Sequence, residues 1–190
     1  MPRLFDIALA VVALVVSSPL LALAALAIRL ESRGSPIYRQ RRAGRGGAPF
    51  ELYKLRTMVL GADPVGIGDP VGRDDPRVTR VGRFLRRFSL DELPNLLNVL
   101  RGEMAIVGPR PTIEAQVEHY TPHQRRRLEV KPGLTGWAQV NGRAGLPWDE
   151  RIELDVWYVE NRSAWLDVKI LARTAALLVS GRGVTDEGGG

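Results

Sequence analysis

"IALAVVALVVSSPLLALAALAI", residues 7–28, contains no charged side chain. As a helix it reaches about 30 Å, enough to cross the hydrocarbon core of a bilayer. The fold class turns on whether this segment is a cleaved signal, a span or a bent helix. Arg3 supplies a positive leader and "ALAALA" supplies small residues, yet the apolar run is long for a signal peptide. Ser17, Ser18 and Pro19 fall in its middle. There a proline removes a backbone donor and bends the helix, while serine hydroxyls satisfy freed carbonyls. Arginines flank both ends, Arg3 before and Arg29, Arg33, Arg39, Arg41 and Arg42 after, and a positive-inside bias holds both flanks in the cytoplasm. A re-entrant hairpin satisfies both biases, whereas a kinked span must export Arg3 at small cost. On physical grounds alone the two stand level.

The remaining chain suits one domain. With 190 residues and 45% hydrophobic content, it is long enough for a single core and too short for two. The formal charge is +6, from 27 Lys+Arg, nearly all arginine, against 21 Asp+Glu, which favours a polyanionic partner. The absence of cysteine excludes disulfide scaffolds, thiolate zinc sites and thiol nucleophiles. His119 and His123 share a helical spacing but have Pro122 between them and no third ligand, so they read as surface residues.

Beyond the apolar segment, "GSPIYRQRRAGRGGAP" (34–49) reads as a loop and "FELYKLRTM" (50–58) as a short strand. In that strand Lys54 and Arg56 share a face, as a phosphate site or as a solvated pair. Residues 61–76 form a Gly/Pro/Asp loop whose glycines match neither a Walker loop nor a dinucleotide fingerprint. "RVTRVGRFLRRF" (77–88) is a basic amphipathic helix, suited to a membrane interface or to packing on the protein's own core. Near the C-terminus, Trp157, Tyr158 and Trp165 beside aliphatic runs suit a second interfacial helix, or again a core. "GRGVTDEGGG" is a frayed tail.

"RRFSLDELPNLL" (86–97) is the chemically unusual stretch. Ser89 and Glu92 match a helix capping box, which needs no catalytic explanation. That account leaves out Arg86 and Arg87 just before it and Arg110 in "GPRP" downstream. Guanidinium groups beside Asp91 and Glu92 lower carboxylate pKa values, which keeps both acids ionised for work as nucleophile or metal ligand. An ionised acid pair among arginines beside a membrane suggests chemistry on a phosphate.

"SLDELPNLLNVLRGEMAIVGPRP", "VKPGLTGWAQVNGR" and "LDVWYVENRSAWLDVKIL", with "FD", the mid-membrane "SP", "QRRAG" and "KLRTM", resemble the bacterial sugar transferase family, the monotopic phosphoglycosyl transferases. The resemblance runs from about Phe5 to Val179 and departs only in detail, at Leu55, Asn95 and Ala105. It implies transfer of a sugar-1-phosphate from a UDP-sugar to undecaprenyl phosphate, with release of UMP, at the cytoplasmic face of the bacterial inner membrane. Asp91 maps onto the nucleophile that forms a covalent phosphosugar intermediate, and Glu92 onto the residue that helps hold Mg²⁺. Ser18 and Pro19 map onto the break of a re-entrant hairpin, which tips the earlier balance that way. Lys54, Arg56, Arg86, Arg110 and Arg143 map onto basic residues for phosphate groups, with a structural ion pair as the alternative for Arg110; Pro109 and Pro111 map onto a stiff turn that meets the nucleotide, and Asp167 onto a matching acidic position that an ordinary helix start explains nearly as well.

The expected architecture is therefore α+β and mostly helical: a membrane hairpin over residues 1–30, a catalytic domain over 31–182 with interfacial amphipathic helices, and a tail over 183–190. The expected partners are a UDP-sugar, undecaprenyl phosphate, membrane lipid and downstream glycosyltransferases, and no nucleic acid. A non-catalytic surface module binding lipid or nucleic acid accounts for the charge but not for "SLDELP" beside "GPRP". A multi-span transferase is a poor match for a chain with one segment of spanning length.

Overall fold

The computed structural model describes residues 2–62, 75–142 and 146–179. The uncharged stretch lies in one helix, α1 (Arg3–Glu31), with Pro19 inside it. Pro19 has no N–H for the Val15 carbonyl four residues back, and the Ser18 hydroxyl donates to that carbonyl at 2.8 Å instead. The substitution lets α1 continue as one element, and the structure does not divide it into two arms. Among the described residues α1 is the one helix long and apolar enough to cross a membrane, and only 11% of its apolar window is buried.

Both ends of α1 are tied to the same body. At its start, Arg3 donates to Leu100 O at 3.0 Å, and the buried Asp6 carboxylate accepts from Ile106 N at 3.2 Å. At its end, Glu31 accepts from Arg80 N and Val81 N at 2.7 and 3.0 Å. Arg56 donates to the carbonyls of Ser32 and Arg33 at 2.8 and 2.6 Å, satisfying groups that a helix terminus leaves without partners. Between these ends a stripe from Ala10 to Ile28 enters two apolar clusters, while Val12, Val15, Val16 and Leu23 face outward.

The body is mostly helical with two small sheets, an α+β arrangement. Strands β1 (Ile37–Ala43) and β2 (Pro49–Leu55) form an antiparallel hairpin closed by Gly46 and Gly47 at positive φ. Composition therefore misjudged residues 34–49, since Gly and Pro lie at the edges of a strand that gains its ladder from β2. Helix α2 (Arg80–Arg87) carries a Thr79 cap whose hydroxyl accepts from Gly82 N. It buries Leu85 against Ala24 and Ile28 of α1 and leaves Phe84 exposed, so the basic helix packs on the core with one edge and meets solvent with the other.

After α2 the chain makes one 3₁₀ turn over Leu90–Glu92 and enters α3 (Asn95–Arg101). The expected capping box is absent: Ser89 is left-handed at φ 53 and its side chain caps nothing. The reason is that Glu92, the would-be capping partner, points instead into a buried cluster of cations. Strand β3 (Ala105–Val107) follows, then short helices α4 (Glu114–Glu118) and α5 (Pro122–Arg125). Strand β4 (Gly133–Thr135) pairs parallel with β3. Helices α6 (Trp137–Asn141), α7 (Trp148–Glu160) and α8 (Ala164–Val179) close the core around Leu96, Val99, Ile106, Tyr158 and Ile170. Trp157 stacks on Trp137, and Trp165 is 76% exposed. His119 and His123 are exposed, as expected. The expected tail and the middle of the Gly/Pro/Asp loop, residues 63–74, lie outside the described residues.

Gly82 of α2 packs closely on the main chain just after β2, since a Cβ there meets Thr57 O at 2.1 Å. Gly82→Ala is expected to destabilise the fold by about 1–3 kcal/mol, the usual cost of overpacking, read as a lower melting temperature in detergent.

Candidate active site

Asp91 and Glu92 sit on the single turn between α2 and α3, and both are buried. Burial of adjacent carboxylates is tolerated only if cations come to meet them. Lys54 Nζ from β2 reaches Glu92 Oε1 at 2.7 Å, and Arg110 from the turn after β3 reaches the same oxygen at 2.8 Å. Arg110 also donates to Oε2, at 3.4 Å. Although burial opposes its charge, Arg110 and Lys54 prevail and hold the Glu92 carboxyl well below the usual range. Asp91 has the opposite fate. Burial pushes its carboxyl up, with Glu92 adding to the effect and Lys54, Arg86 and Arg110 opposing it. Its Oδ1 is buried without a hydrogen-bond partner. The expectation that neighbouring arginines lower both acids thus holds for Glu92 and fails for Asp91, because desolvation outweighs cations of which two, Lys54 and Arg110, are paired with its neighbour.

Arg42 belongs to the same cluster and was not anticipated. On β1 it shares a sheet face with Tyr38 and Gln40, and Tyr38 lies opposite Lys54. Burial, with Arg110 beside it, lowers the Arg42 guanidinium to about 10. Arg42 donates to Gln40 Oε1 at 2.6 Å and to Pro111 O at 3.3 Å. Among the described residues, Lys54, Arg86, Arg110 and Arg42 thus interact electrostatically with Asp91 and Glu92, leaving a cationic surplus at a carboxylate that is itself unpaired. Such a surplus suits a polyanionic ligand, and a perturbed acid beside it is what reactive sites build. Recognising β1 as a strand would have found Arg42, since its alternation with Gln40 places both on the Lys54 face.

The "GPRP" turn is pinned from three sides. Pro109 O accepts from Gly133 N at 2.8 Å, Arg110 O accepts from Arg127 at 3.0 Å, and Pro111 O accepts from Arg42. Gly133 permits this approach, because a Cβ there meets Gly108 N at 2.1 Å. Pro109 and Pro111 are thus held by their main-chain carbonyls in a fixed turn.

Other expected site residues go elsewhere. Arg56 lies past the end of β2, and its buried guanidinium is spent on the end of α1, so it does not point with Lys54 toward the acid pair. Asp167, in the first turn of α8, is buried and accepts from the Tyr158 hydroxyl at 2.7 Å, a core contact. Arg143 lies outside the described residues.

The family model described as "Bacterial sugar transferase" matches residues 1–181. The chain belongs to the bacterial sugar transferase family. Within this family, an uncharacterized sugar transferase of Bacillus subtilis, EpsL, is 46% identical over 183 residues, covering 96% of this chain and 89% of the relative. A UDP-glucose:undecaprenyl-phosphate glucose-1-phosphate transferase of Caulobacter vibrioides is 47% identical over 186 residues, covering 94% of this chain and 69% of the relative. One of the same name from Escherichia coli is 45% identical and covers 90% of this chain but 39% of its own length, so the chain spans a minor part of that longer family member.

The two acids have opposite linkage. Glu92 is lowered in the folded state, so it contributes stability above its ordinary value of 4.5 and loses it as pH falls through the folded pKa. Asp91 is raised, so its contribution exists below its ordinary 3.8 and is lost as pH rises through the folded pKa. At pH 7, Asp91→Asn is therefore expected to raise the melting temperature and Glu92→Gln to lower it, with the Glu92→Gln deficit shrinking in acid, as followed by thermal unfolding.

Proposed function

We propose that this protein transfers a sugar-1-phosphate from a UDP-sugar to undecaprenyl phosphate, releasing UMP, with Asp91 as the nucleophile. One observation carries the reading: Asp91 is a buried carboxylate with an unpartnered oxygen inside a cationic cluster. A raised pKa makes the ionised form a better nucleophile, and the surrounding cations attract the diphosphate that it attacks. An Asp91 oxygen forms a bond to the β-phosphorus, the one that bears the sugar, while the bond to the bridging oxygen breaks and UMP departs. A phosphate oxygen of undecaprenyl phosphate then attacks the same phosphorus, and the Asp91 carboxylate leaves. Lys54, Arg110, Arg86 and Arg42 are disposed to meet phosphate oxygens, the arginines by paired donors. The names of the Caulobacter vibrioides and Escherichia coli relatives support the substrates.

Mg²⁺ fits the donor set. Asp91 Oδ1 accepts no hydrogen bond and Glu92 Oε2 has a single long contact, so each of these neighbouring acids keeps an oxygen with acceptor capacity for a hard cation. Mg²⁺ completes its shell with phosphate and water, so it needs only one or two protein carboxylates. Bound there, the ion supplies neutralisation of the diphosphate and the leaving UMP.

The reading places the protein on the cytoplasmic side of a membrane, with α1 entering one leaflet. Helix α1 is fastened at both ends to one body, which supports entry and exit on the same face. Its outward valines and leucines, Phe84 and Trp165 supply apolar surface for lipid. The product is a sugar joined to the lipid through a diphosphate, whose consumers are glycosyltransferases that extend it.

Incubating purified protein with Mg²⁺ and a panel of UDP-sugars, without undecaprenyl phosphate, is expected to yield a phosphosugar adduct by intact mass that Asp91→Asn abolishes. Release of UMP dependent on undecaprenyl phosphate, with no adduct for any sugar, would remove Asp91 as nucleophile while leaving the overall reaction intact. Silence in both assays across the panel overturns the proposed reaction.

A further inference from the structure

Arg127 lies in the run Arg125–Arg127, which by composition is a solvated charge cluster. Instead Arg127 is buried and forms an ion pair with the equally buried Asp155 of α7. Its guanidinium lies 5.7 Å from the ring centroids of both Tyr120 and Trp148. A buried ion pair adds little net stability, because desolvating two charges offsets their attraction. Its remaining contacts give it a different purpose.

Those contacts converge on one turn. Arg127 Nη2 donates to Arg110 O at 3.0 Å, and Nη1 donates to the Tyr120 hydroxyl at 2.6 Å. The Tyr120 hydroxyl in turn donates to Thr112 Oγ1 at 3.0 Å, and Thr112 O accepts from Ala43 N of β1 at 2.8 Å. Arg127 therefore grips the turn directly at Arg110 and through Tyr120 at Thr112. From the same turn the Arg110 side chain reaches Glu92. A rigid planar fork makes these contacts at once, which a lysine ammonium on a flexible stem cannot.

We propose that Arg127, paired with Asp155, is a positioning residue that fixes the main chain at Arg110 and Thr112 so that the Arg110 guanidinium meets Glu92. Its bearing on turnover rests on the reading of Asp91 and Glu92 as the reacting centre, whereas the Arg110–Glu92 contact exists whatever the reaction. Asp155 acts at two removes, through its ion pair with Arg127.

The test uses the full chain in lipid nanodiscs with Arg127→Lys, Arg110→Ala and the double variant. UMP release from a UDP-sugar with undecaprenyl phosphate is read beside the Arg110 side-chain Nε–H resonance, assigned by its loss in Arg110→Ala. Arg127→Lys is expected to lower kcat about 10- to 100-fold, the scale of a displacement near 1 Å, and to shift the Arg110 resonance and speed its exchange. In the Arg110→Ala background the same change should cost no more than about twofold, because the group it positions is gone. Multiplying effects, or an unaltered Arg110 resonance, overturn the proposal and leave Arg127 a packing element. If Arg127→Lys does not fold, the isosteric Asp155→Asn is judged by the same criteria. If the wild-type protein turns over no sugar nucleotide, it is the proposed reaction that fails, and the Arg110 resonance alone decides the positioning role.

Discussion

The Glu92 carboxylate, buried and held between Lys54 and Arg110, is the constraint around which the domain is arranged. An ionised carboxylate out of water costs several kcal/mol unless cations reach it. Its two cations come from different places, one from β2 and the other from the turn after β3. The β1–β2 hairpin and the β3–β4 pair must therefore converge on one turn of chain, and the intervening α3 buries Leu96 and Val99 to hold that convergence. Pinning of the turn by Gly133, Arg127 and Arg42 serves the same end, since a guanidinium can meet a fixed carboxylate only from a fixed main chain.

Adjacent acids with opposite shifts divide the labour. Glu92 takes the cations and is stabilised as an anion, which leaves Asp91 desolvated beside charges that are already engaged. The unpaired oxygen of Asp91 is a local instability that the fold sustains through the pairing of Glu92. Reactive carboxylates often take this form, where stability is given up at one atom to keep it available.

Much of this was legible in the residues. The uncharged run gave α1, the period of "RVTRVGRFLRRF" gave α2, and "SLDELP" with "GPRP" marked the acid pair and its arginine. What failed did so for long-range reasons. The capping box at Ser89 is a local rule, and it lost to cations that arrive from residues 54 and 110. Strand β1 hid in a Gly- and Arg-rich stretch because its ladder depends on β2. Arg56 and Lys54 were paired by strand alternation, but the strand ends between them and Arg56 turns to the end of α1. Arg127 carried no local signal, since nothing in an arginine triplet says which member is buried.

The ties at the start of α1 also have a bearing on time. Arg3 and Asp6 find their partners at Leu100 and Ile106, 97 and 100 residues further along the chain. At ribosomal rates of about 5–20 residues per second, those partners emerge roughly 5–20 s after the helix that needs them. For that interval the leucines and valines of α1 have only lipid or a chaperone to face, and the Asp6 carboxylate has no amide to accept from. Docking of α1 onto the domain is thus a late event in synthesis, and the helix must wait where a charged carboxylate near its N-terminus can still reach water.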